Sequence, residues 1–248
     1  ADVNKAIELD PSLAEAYSMR AAVLCDLQRY EEAVEDCNRA IHLNPRYADA
    51  YSNRGSAFDF LQRYDEAVAD YDRAIELDRP AANVYRNRGN ALSRLMRYEE
   101  AISDYTRAIK LEPNSAESHG SRAGAYLELG AYRQALDDFT EAIQLHPNNA
   151  NYYSGRGVAF ARLHRYQEAL SDHNCAVKLN PRSAQALSNR GVTYAHLNKY
   201  EDALADLRYA IELDRACVSA YLSIGSMLGL MEKWQEALGY FEQAERLR

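Results

Sequence analysis

Arginine and aspartate recur in this sequence at a spacing that could do chemistry. Arginine stands at Arg20, Arg54, Arg88, Arg122, Arg156 and Arg190, one every thirty-four residues. Sixteen residues after each comes an aspartate: Asp36, Asp70, Asp104, Asp138, Asp172 and Asp206. A guanidinium offers its N–H groups in a rigid fork that fits both oxygens of a carboxylate. The expectation is a ladder of structural ion pairs, with each arginine stem partly buried; the alternative is that both charges stand solvated. One further period on, Ile224 and Tyr240 replace both members together. That joint loss fits two positions that meet in space.

No other constellation reaches the spacing that catalysis or metal binding needs. The six histidines (His42, His119, His146, His164, His173, His196) fall at unrelated places. His119 and His173 stand where an aromatic residue stands in other copies of the pattern, so they read as core residues. Cys25, Cys37, Cys175 and Cys217 form no CxxC pair and read as free thiols, which favours a reducing compartment such as the cytoplasm. Phosphate-cradling glycine loops, serine-centred elbows and HExxH helices are missing from the sequence. Neither catalytic residues nor metal or cofactor ligands are therefore assigned. A formal charge of −8 over 248 residues argues against a nucleic-acid partner, whose phosphates call for a basic surface. No apolar run approaches the roughly 18 residues of a spanning helix, so membrane insertion is not expected.

The elements that position the arginines and aspartates are themselves periodic. Pro11, Pro45, Pro113, Pro147 and Pro181 share one register, in which Arg79 and Arg215 take the other two slots and Pro80 falls one place late. Counting each repeat from three residues past that slot gives 14–47, 48–81, 82–115, 116–149, 150–183, 184–217 and 218–248, with 1–13 the remainder of a preceding repeat. Slot 17 is Tyr30, Tyr64, Tyr98, Tyr132, Tyr166, Tyr200 and Trp234; slot 20 is alanine from Ala33 to Ala237. Within 48–81, Tyr51, Gly55, Phe58 and Leu61 mark one helical stripe, and Ala67, Val68, Tyr71, Ala74 and Ile75 mark another. Small residues let the two helices approach while the tyrosines and Phe58 fill around them. The glycines read as mid-helix packing residues, none of them in a loop. The proline slot ends the second helix, and a single hairpin cannot bury its apolar face, so neighbours must stack.

At these slots the sequence resembles the tetratricopeptide repeat family over its whole length. The resemblance implies an all-α fold of stacked antiparallel helix pairs in 34-residue repeats, wound into a right-handed superhelical solenoid. It also implies a concave groove, lined by the first helix of each repeat, that receives a protein or peptide. The groove slots hold Glu15, Asp26, Asp49, Asp59 and Phe60 in the first two repeats, then Asn83, Arg86, Asn87, Asn90 and Arg94 in the third. Glu117, Ser121 and Glu128 follow, then Val158, Arg162, Val192, His196, Leu222 and Leu230. In the family an asparagine ladder holds extended peptides by their backbone amides, and Asn53, Asn87 and Asn189 occupy the matching slot. Asn53, Phe60, Arg86, Asn87, Asn90, Arg94, Arg162 and Asn189 are the expected peptide-binding residues. The family's clamp for chaperone C-termini is incomplete: Arg86 and Asn90 imitate its first pair, but Ser121, Asn151 and Gly155 replace the rest. The expected function is a non-enzymatic interaction module for an extended or helical partner segment. Alternatives are a scaffold that self-associates through exposed solenoid ends, and the targeting arm of a larger enzyme. Because 1–13 holds only the end of an earlier repeat, the chain is expected to be a segment cut from a longer protein.

Overall fold

The computed structural model describes residues 2–78 and 81–247. Arg79 and Pro80, assigned to the proline slot and the place after it, lie outside the described residues, as do Ala1 and Arg248. Among the described residues there are fifteen helices and no strand. The chain divides into two compact units, one through Ala125 and one from Tyr126. The first holds α1 (Asp2–Leu9), α2 (Ala14–Asp26), α3 (Tyr30–Leu43), α4 (Ala48–Phe60), α5 (Tyr64–Leu77), α6 (Ala82–Arg94) and α7 (Tyr98–Leu111). The division falls within α8 (Ala116–Glu128). The second holds α9 (Tyr132–Leu145), α10 (Ala150–Arg162), α11 (Tyr166–Leu179), α12 (Ala184–His196), α13 (Tyr200–Leu213), α14 (Val218–Leu230) and α15 (Trp234–Arg246).

The turn between the two helices of a repeat is set by one left-handed residue. Gln28, Gln62, Met96, His164, Asn198 and Glu232 have φ of 58–60°, and Gly130 has φ 72°. All seven occupy slot 15. This is the helix-ending motif in which a left-handed residue turns the chain while the next amide reaches back five residues: Arg63 N donates to Phe58 O at 2.9 Å, and Arg97 N to Leu92 O at 2.9 Å. Glycine is the residue such a turn favours, and only Gly130 supplies it. Gly130 thus corrects the expectation that no glycine sits in a loop; its role is conformational.

Burial follows the slots. Ala33, Ala67, Ala101, Ala169 and Ala203 are fully buried, where the two helices of a repeat come closest. A Cβ on Gly89 would stand 2.7 Å from the Tyr105 ring, so the missing side chain admits that tyrosine, which is 2 % exposed. Burying a tyrosine ring this fully is worth about 2–3 kcal/mol. In the first unit Phe58, Val68, Tyr71, Val84, Leu92 and Tyr105 form one continuous cluster; in the second, Leu187, Leu207, Ile224, Met227 and Leu228 do the same.

Within the units the two helices of a repeat pack together, and second helices pack on the first helix of the following repeat: α1 on α2, α3 on α4 and α5 on α6 in the first unit, α9 on α10, α11 on α12 and α13 on α14 in the second. Successive first helices also touch: α2 with α4 and α4 with α6 in the first unit, α10 with α12 and α12 with α14 in the second. Successive second helices do not, among the described residues. The first helices therefore line the inner face of each unit.

Candidate functional site

Two kinds of site emerge: a seam of arginines that fixes how helices dock, and the first-helix face that this docking presents. In the seam, Arg20 Nε donates to Asp36 at 2.6 Å and its Nη2 at 2.7 Å. Arg54 grips Asp70 at 2.7 and 2.7 Å, Arg88 grips Asp104 at 2.7 and 2.6 Å, Arg156 grips Asp172 at 2.7 and 2.9 Å, and Arg190 grips Asp206 at 2.6 and 2.8 Å. Arg122 and Asp138 belong to different compact units. The five paired aspartates are buried and the arginines partly so; the hydrogen bond to its carboxylate raises each arginine's pKa, outweighing the lowering by burial.

The third guanidinium nitrogen carries a contact that the pairwise spacing did not reveal. It reaches the second helix of the preceding repeat, at slot 25: Arg20 to Asn4, Arg54 to Asn38, Arg88 to Asp72, Arg122 to Thr106, Arg156 to Thr140 and Arg190 to Asn174. Five of these arginines therefore staple three helices. The sequence held the signal: slot 25 accepts hydrogen bonds wherever the arginine is present. Where Ile224 replaces the arginine, slot 25 becomes Arg208, which could only repel one. Ile224 is fully buried in the apolar cluster of the second unit instead.

The first-helix face holds the expected binding residues in varied states. Phe60 is 59 % exposed and stacks on Tyr30 at 4.8 Å. Arg94 and Arg162 are exposed, while Arg86 is half-buried and lies 3.9 Å from Glu117, which partly offsets its charge. Asn90 accepts from the Tyr105 hydroxyl at 2.9 Å. Asn53 donates to the carbonyl of Ser18 at 3.2 Å and to its hydroxyl at 3.0 Å, bracing α4 against α2. Asn189 donates to Ser154 at 3.1 Å and accepts from Gln185 at 2.9 Å. Two of the three ladder asparagines thus have amide nitrogens engaged between neighbouring first helices, with serines the sequence gave no reason to single out. Asn87 is half-buried. The Asp59 carboxyl is pushed above its ordinary range by burial, opposed by Arg94, and its Oδ1 has no hydrogen-bond partner.

Histidines diverge in the same way. His119 Nε2 lies 3.1 Å from the carbonyl of Pro113, the contact that the Tyr17 and Tyr51 hydroxyls make with Pro11 and Pro45 at 3.3 Å. His173 is 1 % exposed, its Nδ1 has no partner, and burial pushes its pKa down to about 4. All four cysteines are free thiols, and burial pushes Cys37 up to about 12. Among the described residues no cluster of histidine, cysteine and carboxylate could hold a metal ion. Nor is any described helix long and apolar enough to cross a membrane.

Recesses sit on both kinds of site. Pockets of 460 Å³ beside Arg20 and 200 Å³ beside Arg88 open along the arginine seam. On the first-helix face, a trough of 390 Å³ crosses α2, α4 and α6 between Ser18, Asp49, Asn53 and Asn83. A pocket of 540 Å³ lies between α10, α11 and α12 in the second unit, lined also by Tyr132 of α9.

Sequence profiles described as Tetratricopeptide repeat match residues 48–79, 82–115 and 184–217, and a further one matches 3–35. A profile described as TPR repeat matches 21–58 and 123–164. The chain belongs to the tetratricopeptide repeat family. No curated protein matches it. Among solved structures it is similar to YrrB, a TPR protein with an unusual peptide-binding site: 24 % identity, 75 % of this chain and 96 % of that one, TM-score 0.66. A tetratricopeptide repeat protein from Parabacteroides merdae aligns over 94 % of this chain and 93 % of its own at 20 % identity, TM-score 0.76. A chain of the APC/C Cut9–Hcn1 hetero-tetramer aligns over 91 % of this chain but 45 % of its own, at 16 % identity and TM-score 0.77. At these identities the likeness is one of fold alone; it is the tetratricopeptide repeats themselves that support a protein-interaction scaffold.

Proposed function

We propose that this chain is a non-enzymatic interaction module that receives an extended or helical segment of a partner protein on its first-helix face. The observation that carries this reading is the trough across α2, α4 and α6, whose walls come from three successive repeats. A partner segment lying across such a trough would meet Asp49 and Asn83, then Phe60, Arg86 and Arg94 further along the face. The asparagine ladder plays a mixed part. Asn53 and Asn189 hold the face in shape, while Arg86, Asn87, Asn90, Arg94 and Phe60 in the first unit and Arg162 in the second are the residues that touch the partner. YrrB has a peptide-binding site by its own description; the case for this chain rests on its own residues.

The test is affinity capture with the isolated chain, peptide mapping of what is retained, and titration of that segment against variants. Phe60→Ser with Arg94→Glu alters two exposed side chains on the first-helix face and should weaken binding by about 1–3 kcal/mol, the range of interface hot spots. Arg39→Glu, exposed on second helix α3, should leave it unchanged. Equal losses from both would place binding elsewhere.

A second reading, self-association, draws on large apolar side chains left exposed in each unit. Leu9 (78 %), Met19 (58 %) and Leu27 (60 %) are bare in the first, and Leu230 (77 %), Trp234 (67 %) and Leu238 (59 %) in the second. Light scattering over a concentration range decides it: a constant monomer mass rejects self-association.

A further inference from the structure

The 540 Å³ pocket of the second unit lies where slot 24 holds a side chain shorter than tyrosine. Slot 24 of the second helix is Tyr71 and Tyr105 in two repeats of the first unit and Cys37 in the other. There each phenol runs past the slot-8 glycine toward the first-helix face, Tyr71 ending 3.1 Å from Ser56 and Tyr105 2.9 Å from Asn90. In the repeat 150–183 the slot holds His173, packed against Gly157 in the same way, with a ring too short to reach so far. The place a phenol would fill is open, walled by Val158, Val192 and Thr193. At its base stands the His173 ring, buried and with Nδ1 unpartnered.

The rim carries one fixed positive charge, that of Arg162, beside two histidines. Arg162, His164 and His196 line it, and neither aspartate nor glutamate does, although the chain as a whole carries −8. Tyr166 organises this rim. His196 stacks flat on its ring at 4.6 Å, and His164 Nδ1 lies 2.8 Å from its hydroxyl. A neutral imidazole has one donor and one acceptor nitrogen, and its low pKa keeps His173 neutral at physiological pH. A phenol can satisfy either nitrogen.

We infer that this pocket takes a tyrosine side chain presented by an acidic segment of a partner protein. The partner's ring replaces the absent slot-24 phenol between Val158 and Val192, its hydroxyl meets His173, and flanking carboxylates meet Arg162 and the rim histidines. This rests on the proposed use of the first-helix face. Its variants lie in the second unit, whereas the test above changes Phe60 and Arg94 in the first, so either reading can fail alone.

The experiment is fluorescence anisotropy of the whole chain with a labelled peptide, Asp-Glu-Asp-Tyr-Glu-Asp-Glu. Two comparison peptides carry alanine for tyrosine, or lysine for every acidic residue. Saturable binding of the first is expected, with each comparison at least ~10-fold weaker, as for loss of a hot-spot contact. His173→Tyr introduces the residue found at this slot in the repeats of Tyr71 and Tyr105 and should close the pocket, again weakening binding at least ~10-fold. If His173→Tyr disturbs the fold by circular dichroism, Arg162→Glu, exposed and outside the core, tests the rim instead. Equal binding of the tyrosine and alanine peptides, or wild-type affinity in a folded variant, would overturn the inference, as would failure of the acidic peptide to bind.

Discussion

Asp104→Ala isolates the arginine seam, because the same repeat contains its own control. Arg88 and Asp104 join at 2.7 and 2.6 Å, with the carboxylate side chain 4 % exposed and the guanidinium 20 %. Arg97 and Glu100 join through the same two-pronged contact at 2.7 and 2.7 Å, but at 43 % and 58 % exposure. Distance and chemistry are matched; burial differs. An exposed pair is worth ~0–1 kcal/mol, whereas removing one member of a buried pair costs ~3–5 kcal/mol. Arg88 would keep Asp72 as a partner and is partly solvated, so Asp104→Ala should cost about 2–3 kcal/mol, below the fully buried limit. The assay is a double-mutant cycle by urea denaturation on each pair. Coupling of about 1.5–3 kcal/mol is expected for Arg88 and Asp104 and under about 0.5 for Arg97 and Glu100. Equal coupling in the two cycles would refute the argument that burial gives the seam its strength.

The remaining predictions concern the turns and the buried histidine. Gln62→Gly, at φ 60° and exposed, should stabilise the fold by about 0.5–1 kcal/mol by relieving left-handed strain, less glycine's entropic cost, while Gly130→Ala should lose about 1 kcal/mol; thermal melts check both. His173 has a folded pKa of about 4 against 6.5, so between these values the unfolded chain binds the proton that the folded one refuses. Stability is therefore full above pH 6.5 and falls as pH drops toward 4, and His173→Tyr should flatten that slope by up to about 1.4 kcal/mol per pH unit. An unchanged slope in denaturation curves at pH 4.5, 5.5 and 6.5 would show that His173 does not resist protonation. Cys37, whose thiol burial pushes up to about 12, should stay unlabelled by maleimide in the folded protein at pH 7; rapid modification there would show it to be accessible.

The fold was legible because identity at a slot repeats. Tyr30 to Trp234, Ala33 to Ala237 and the proline register fix helix pairs without knowledge of any contact, and the paired arginine and aspartate slots pointed to a meeting that the coordinates measure directly. What escaped is of two physical kinds. Hydrogen bonds between repeats link residues thirty-five apart, as Asn53 to Ser18 and Asn189 to Ser154, and serine's ordinary appearance gives no cue to them. The sign of a substitution within a slot also escaped. His119 and His173 both replace an aromatic, yet His119 regains the tyrosine's contact with a proline carbonyl, while His173 leaves a pocket. Ring length and the neighbouring glycine decide that, and neither is visible in residue type alone. The left-handed backbone of the slot-15 turn escaped for a related reason: six of its seven residues are not glycine, so it had no residue signature.

Amide hydrogen exchange of the chain with and without its captured segment tests most directly whether partners lie on the first helices. New protection is expected on α2, α4 and α6 in the first unit and on α10, α12 and α14 in the second, with α11 protected only around His173 and α3, α5 and α13 unchanged. Protection that appears instead on α3, α5 and α13 would contradict that placement.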